Sequence, residues 1–351
     1  MRTYLIALTT LLLAVAPAAA SPRTPPTLEE LVVTCDAIVV AKMITPPKRT
    51  GDRYRVAIEH VLKGDVEGEL VVQAQHEMTD LPSRTDERPS AYERGAERLM
   101  LFLHAAEDGE TYWTDVFRAL PAETLVFGFD RSPRRTSDVV RAVRALVALN
   151  EPTLPEAKAV ALWTHGLRSE NVCLVSALVE RASGHVAWGP PRERIQAQRR
   201  TGARSIAEEL RRLVRHEDAE VRANAALYLR GLIDTIEDET ARAAERSAAI
   251  QDLRLRLDDP DPDVRARVLG ALSELGDSQV RRRIIRLLKD PKTPRAERET
   301  AIWSVGYLTK ADPTLKGEDL VVALLATLED PEIARYAVAV LRRQTGEDDR
   351  R

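Results

Sequence analysis

Apolar residues along this chain keep two different periods, and the change falls at Ser137. Before it, Tyr54, Val56 and Ile58 alternate with Arg55, Ala57 and Glu59, the period of two of a half-buried strand. The runs Cys35 to Ile44, Leu70 to Gln75, Leu99 to Leu103, Tyr112 to Phe117 and Leu125 to Phe129 read as further short strands. Turn signals at Lys63-Gly64, Glu67-Gly68 and Asp108-Gly109 separate them. Strands of this length and spacing predict a small antiparallel barrel or sandwich over residues 28–131, with a polar loop at 79–90. After it, Ser137-Asp138 can cap a helix in which Val139, Val140, Val143, Leu146, Val147 and Leu149 recur at helical spacing. Leu154 to Leu167 and Val172 to Ala182 predict two more helices, so residues 137–184 form a helical segment. Residues 185–204 hold glycine, two prolines and many arginines and predict a linker. Helical periodicity resumes at 205 and lasts to about 346.

That last stretch repeats itself. Leu257-Asp-Asp-Pro-Asp-Pro-Asp-Val-Arg265 leads into Ala266, Val268, Leu269, Ala271 and Leu272. Related copies carry Asp218, Val221-Arg222 and Ala225-Ala226; Asp290-Pro291, Arg298 and Ala301-Ile302; and Asp330-Pro331 and Ala337-Val338. Aligned positions fall at Ala225, Val268, Ala301 and Ala337, in steps of 43, 33 and 36 residues. A two-helix unit cannot bury its own apolar stripe, but three or more stacked units share a continuous core. The Asp-Pro pair suits the junction, because proline is tolerated in a helix's first turn and not inside it.

The copies resemble the HEAT repeat family over about residues 205–344. The resemblance implies an α-solenoid in which the arginine of Val-Arg joins a hydrogen-bond ladder between repeats. Arg222, Arg265 and Arg298 would then be structural; the fourth copy has Ala334 in that place. The segment from Leu167 to Ala182 reads as a decayed fifth copy. In the N-terminal part, Asp36-Ala-Ile-Val-Val-Ala-Lys-Met43, Tyr54-Arg-Val-Ala-Ile-Glu-His-Val-Leu-Lys-Gly64 and Arg94-Gly-Ala-Glu-Arg-Leu-Met-Leu-Phe-Leu103 resemble the netrin/TIMP-like barrel of secreted proteins, which implies an OB-like fold. Metalloproteinase inhibitors of that family place an N-terminal cysteine on the protease zinc. This sequence has no Cys-x-Cys, so the inhibitory function does not carry over.

The first twenty residues read as a secretory leader: Arg2, then an apolar stretch from Leu5 to Val15, then Pro17 and Ala18-Ala19-Ala20 before Ser21. Residues 21–27 are Pro-rich and predict an extended linker. Export to the periplasm or the cell exterior follows, and with the leader cleaved no membrane-spanning stretch remains. Export also permits a disulfide between the two cysteines, Cys35 and Cys173, although both sit in apolar runs where a thiol packs as a small core residue.

Composition removes several function classes. Of 351 residues 30% are charged, yet the net charge is −3, so the charges are interleaved and leave no basic footprint for nucleic acid. None of the six histidines (His60, His76, His104, His165, His185, His216) forms an H-x-x-x-H or H-E-x-x-H pair. The chain also lacks G-x-S-x-G and G-x-x-x-x-G-K-[ST]. Asp259, Asp261 and Asp263 alternate like calcium ligands, but Val264 and Gly270 stand where an EF-hand loop needs glycine and glutamate. No cofactor or metal is implied.

The sequence therefore predicts a binding or scaffolding protein with a protein partner. Placed on the inner helices of a solenoid, three rows line the concave face: Asn224, Arg267, Thr300 and Tyr336; Leu227, Gly270, Trp303 and Ala339; Gly231, Glu274, Tyr307 and Arg343. Trp303, Tyr307 and Tyr336, with Arg267 and Arg343, are the candidate partner contacts, since aromatics and arginine dominate interface hot spots. The alternative for Trp303 and Tyr307 is packing against the neighbouring repeat. The alternative function is an exported enzyme whose site between the β domain and the repeats leaves no motif.

Overall fold

A computed structural model describes residues 28–45, 53–74, 98–106, 111–114, 117–119, 125–127, 130–134, 136–184 and 190–345. The expected leader (1–20), Pro-rich linker (21–27) and loop (79–90) lie outside the described residues. The chain divides into two compact units, Pro22–Gly202 and Ala203–Arg351. The helices at 136–184 thus share a unit with the β domain.

The first unit opens on a helix, α1 (Leu28–Thr34), where sequence reading placed only the β domain. Leu28, Leu31, Val32 and Cys35 are buried at the spacing i, i+3, i+4, i+7, which explains the helix. Six strands follow: β1 (Ala37–Thr45), β2 (Arg53–Lys63), β3 (Glu69–Ala74), β4 (Arg98–Ala105), β5 (Thr111–Thr114) and β6 (Phe117–Ala119). β1 pairs antiparallel with both β2 and β4, and β2 pairs antiparallel with β3. β3 runs parallel to β5, and β5 and β6 each pair antiparallel with β4. The ladder thus returns to its start in the order β1-β2-β3-β5-β4. Ala37, Val39, Ala41, Val56, Leu70, Val72, Leu101 and Leu103 form one buried cluster. Their alternates Ile38, Val40, Met100 and Phe102 are buried too, so β1 and β4 are covered on both faces and read as unbroken apolar runs. β7 (Leu125–Phe127) and β8 (Asp130–Arg134) form a separate two-stranded sheet; the polar β8 carries no strand signal in its sequence.

The junction around Cys35 is tightly tied. The Lys63 ammonium donates to the Val32 carbonyl at 2.8 Å and to that of Cys35, closing the C-terminal end of α1. Burial lowers the Lys63 pKa, against the opposing influence of Cys35 and Asp36. Gly64 takes a φ of 86°, and a Cβ there would lie 2.7 Å from the Asp36 carbonyl oxygen. The two cysteines for which a bridge was allowed, Cys35 and Cys173, are not bridged in this structure. Both are buried thiols, and Cys35 Sγ lies 3.5 Å from His104 Nε2.

Helices α2 (Thr136–Leu149), α3 (Glu156–Gly166) and α4 (Val172–Arg181) complete most of this unit. The linker expected at 185–204 is corrected. Residues 185–189 lie outside the described residues, and α5 runs over Pro190–Leu213. Its two prolines sit in the first turn, where they cost no hydrogen bond. Its buried stripe holds Ile195, Gln198, Arg199, Ala203, Ile206, Leu210 and Leu213. The polar members hid the period. Gln198 accepts from the fully buried Arg181 at 2.7 Å, and Arg181 lies 5.1 Å from the centre of the Trp163 ring.

In the second unit, α6 (Ala219–Ile233), α7 (Glu239–Arg254), α8 (Pro262–Glu274), α9 (Arg281–Lys289), α10 (Arg295–Ala311), α11 (Glu318–Ala326) and α12 (Pro331–Thr345) follow α5 in hairpins. α6, α8, α10 and α12 pack side by side in one layer, and α9 and α11 lie together in the other. Aspartates close the helix starts: Asp218 accepts from the Val221 amide at 3.1 Å, and Asp261 from the Asp263 and Val264 amides. Asp290-Pro291 departs from the expected junction, since α10 begins four residues beyond that proline. No helix among the described residues is long and apolar enough to cross a membrane.

Candidate partner-docking face

The layer of second helices is held together by a ladder of arginines. The Arg222 fork donates to both carboxylate oxygens of Asp259, at 3.0 and 2.9 Å, and its remaining terminal nitrogen reaches the carbonyls of His216 and Glu217 at 2.8 Å. Arg265 works the next joint with a single bond to one Glu297 oxygen, and its other terminal nitrogen reaches the carbonyls of Asp259 and Pro260. Arg298 donates to Asp330 at 2.8 Å. Every rung joins a second helix to a carboxylate of the next repeat. Burial pushes the Asp259 carboxyl up, but the Arg222 guanidinium and the Asp261 amide outweigh it and hold it below the usual range. This pairing also gives Asp259 a structural occupation in place of a cation. Among the described residues no cluster of three His, Cys, Asp or Glu side chains could hold a metal ion.

On the other layer a second set of arginines works across the same joints. Arg211 on α5 reaches Glu245 and Asp252 on α7, the Arg254 fork takes Asp277, and Arg283 takes Asp258. Sequence reading missed this set, because its donors and acceptors occupy no repeated position.

Small buried residues (Ala225, Ala226, Ala266, Ala271, Ala301, Ala337) let the second helices approach closely and turn their next positions outward. Trp303 of α10 meets Tyr336 of α12 edge to face, with ring centroids 5.8 Å apart. The Arg343 guanidinium lies 5.6 Å from the Trp303 ring, and that of Arg335 4.6 Å from the Tyr336 ring. Arg335 also donates to the Tyr336 hydroxyl at 2.6 Å. Trp303 and Tyr336 are half-buried, so Trp303 both packs against the next repeat and keeps a solvent edge. Tyr307 is exposed at 37%. Its phenol pKa is raised by burial and by the charge of the Glu274 carboxylate. Burial, then the Asp234 charge, raises the Glu274 pKa; Arg230, 3.8 Å away, and Lys310 oppose the rise. Arg267 is half-buried on α8 and makes no described contact with the aromatic group. Arg335 was missed from sequence; only its adjacency to Tyr336 pointed to it.

A comparison with curated proteins finds no match for the chain. Residues 250–342, which span α8 to α12 and the end of α7, match the family model described as HEAT repeats, and over that stretch the chain folds as stacked helical hairpins.

Proposed function

We propose that this chain is an exported interaction or scaffolding protein that docks a protein partner on the face formed by α6, α8, α10 and α12. The observation that carries the reading is the cluster of Trp303, Tyr307 and Tyr336, which keeps solvent exposure while arginines hold two of its rings. Partly exposed aromatics beside arginine are the side chains that anchor interfaces. HEAT repeats generally mediate protein interactions and are typically not enzymes, which favours binding over catalysis. Export rests on the leader-like residues 1–20. The returning strand order β1-β2-β3-β5-β4 supports reading the β domain as an OB-like barrel.

A cross-linking pull-down from envelope and culture fractions tests the docking face. The bait is the chain from Ser21, beside a folded Trp303→Ala/Tyr307→Ala/Tyr336→Ala variant. A partner held by the parent and lost by the variant supports the reading. Equal capture by both moves the docking surface elsewhere on the chain. Detection of the chain only in the cytosolic fraction would remove export.

A further inference from the structure

We propose that the outer face of α9 and α11 rests on an anionic lipid surface, its cations among the headgroups and its aliphatic side chains in the acyl boundary. These helices form the layer opposite the one that carries the aromatic cluster, so a docked protein and a lipid surface would not compete.

α9 divides its side chains by face. Ile284 and Leu288 are buried. Arg282, Arg286 and Lys289 recur at i, i+4 and i+7, all exposed, and their side chains make no hydrogen bond or ion pair among the described residues. The other two arginines hold the flanks. Arg281 donates to Asp319 at the start of α11, and Arg283 to Asp258 and the Leu257 carbonyl in the turn after α7. Each flank exposes aliphatic side chains: Val321, Val322 and Leu325 on α11, and Leu255, 68% exposed, at the end of α7.

The net charge of −3 over the whole chain conceals this cationic row. Asp319 and Asp258 are taken by Arg281 and Arg283, and Asp258 also feels the charge of Arg286. Exposed Asp290 is matched in number by Lys292, and Glu318 by Lys316, which leaves exposed Glu329 against the row. Residues 346–351, Gly-Glu-Asp-Asp-Arg-Arg, carry one more acid than base, and the face stays positive wherever they lie.

The mixture of groups favours a bilayer. Long cationic side chains reach phosphate headgroups while valine and leucine enter the acyl boundary. α9 and α11 contain no aromatic residue. A single-stranded nucleic acid needs rings for its bases to stack on. Protein hot spots favour Trp, Tyr and Arg over Leu and Val.

The test is co-sedimentation with phosphatidylcholine vesicles, prepared with and without phosphatidylglycerol. The chain from Ser21 is used, since it keeps every described residue and omits the apolar leader-like stretch. Beside it run Arg282→Gln/Arg286→Gln/Lys289→Gln, Val322→Ser/Leu325→Ser, and a control that removes exposed cations of the first unit, Lys42→Gln/Arg144→Gln/Lys158→Gln. Circular dichroism checks that each folds. Parent and control should bind only the vesicles with phosphatidylglycerol, and release them as salt rises. The α9 and α11 variants should each bind at least about tenfold more weakly. No binding by the parent, equal binding by the α9 variant, or an equal loss in the control would overturn the assignment. Unchanged binding by the α11 variant would leave charge attraction without insertion and overturn the seat in the bilayer. Tighter binding of polyglutamate or of a single-stranded oligonucleotide than of the vesicles would overturn lipid as the ligand.

Discussion

Arg222 shows how one side chain can decide a repeat junction. Its side chain is 10% exposed and that of its partner Asp259 1%, so neither charge is rehydrated if the other is removed. Breaking such a buried pair costs roughly 3–5 kcal/mol. Arg222→Ala should lower unfolding stability by about that amount in a denaturant titration, and Arg298→Ala, whose rung is more exposed, by less. His216 adds a pH dependence at the same joint. Its Nδ1 accepts from the Asp218 amide at 3.0 Å, which requires the neutral ring. Burial, with Arg212 and Arg222 nearby, lowers its pKa below 6.5 against Asp218 and Glu217. The unfolded chain therefore takes up the proton first as the pH falls. The stability His216 contributes is complete above about pH 6.5 and declines as the pH drops through its depressed native value. His216→Gln should flatten that part of the pH profile, measured as the denaturation midpoint of variant against parent.

At the scale of elements, local chemistry was legible wherever it was repeated or alternating. The strands β1 to β4 fell where apolar runs and turn signals put them, and the aspartate-led starts of α6 and α8 were visible as Asp218 and Asp261. Asp261→Ala should cost about 1 kcal/mol, since its carboxylate serves two amides at the start of α8; urea titration measures it. Three elements were not legible, each for a physical reason. α5 buries Gln198 and Arg199 where its stripe should be apolar, because Arg181 and its surroundings supply polar partners inside. α1 is seven residues long and merges with the run that becomes β1. β8 is a polar strand that, among the described residues, pairs only with β7. Of the docking face, the aromatic positions were readable from repeat spacing, but which arginine covers which ring depends on side-chain directions that spacing does not contain.

Across the whole molecule, the stack couples its repeats only through neighbours. Arg222 serves the junction of α6 with the following repeat and Arg298 that of α10 with α12, so the two substitutions should be additive within about 0.5 kcal/mol. Hydrogen exchange on the single variants should separate them, with protection lost around α6 in one and around α12 in the other. Arg222→Ala and Asp259→Ala, which break a single rung, should instead be strongly non-additive. The ladder also has a mechanical meaning. Its rungs lie in series, and the last is the most open to water: the fork at Asp259 is buried, while the two bonds that join α10 to α12, Arg298–Asp330 and Arg295–Glu332, are more exposed. A load drawn along the stack would find the lesser resistance at α12 and peel it back first. The helix that lends Tyr336 and Arg343 to the aromatic cluster is thus the one tension would detach, so a partner gripping that cluster would brace the end of the spring most ready to give.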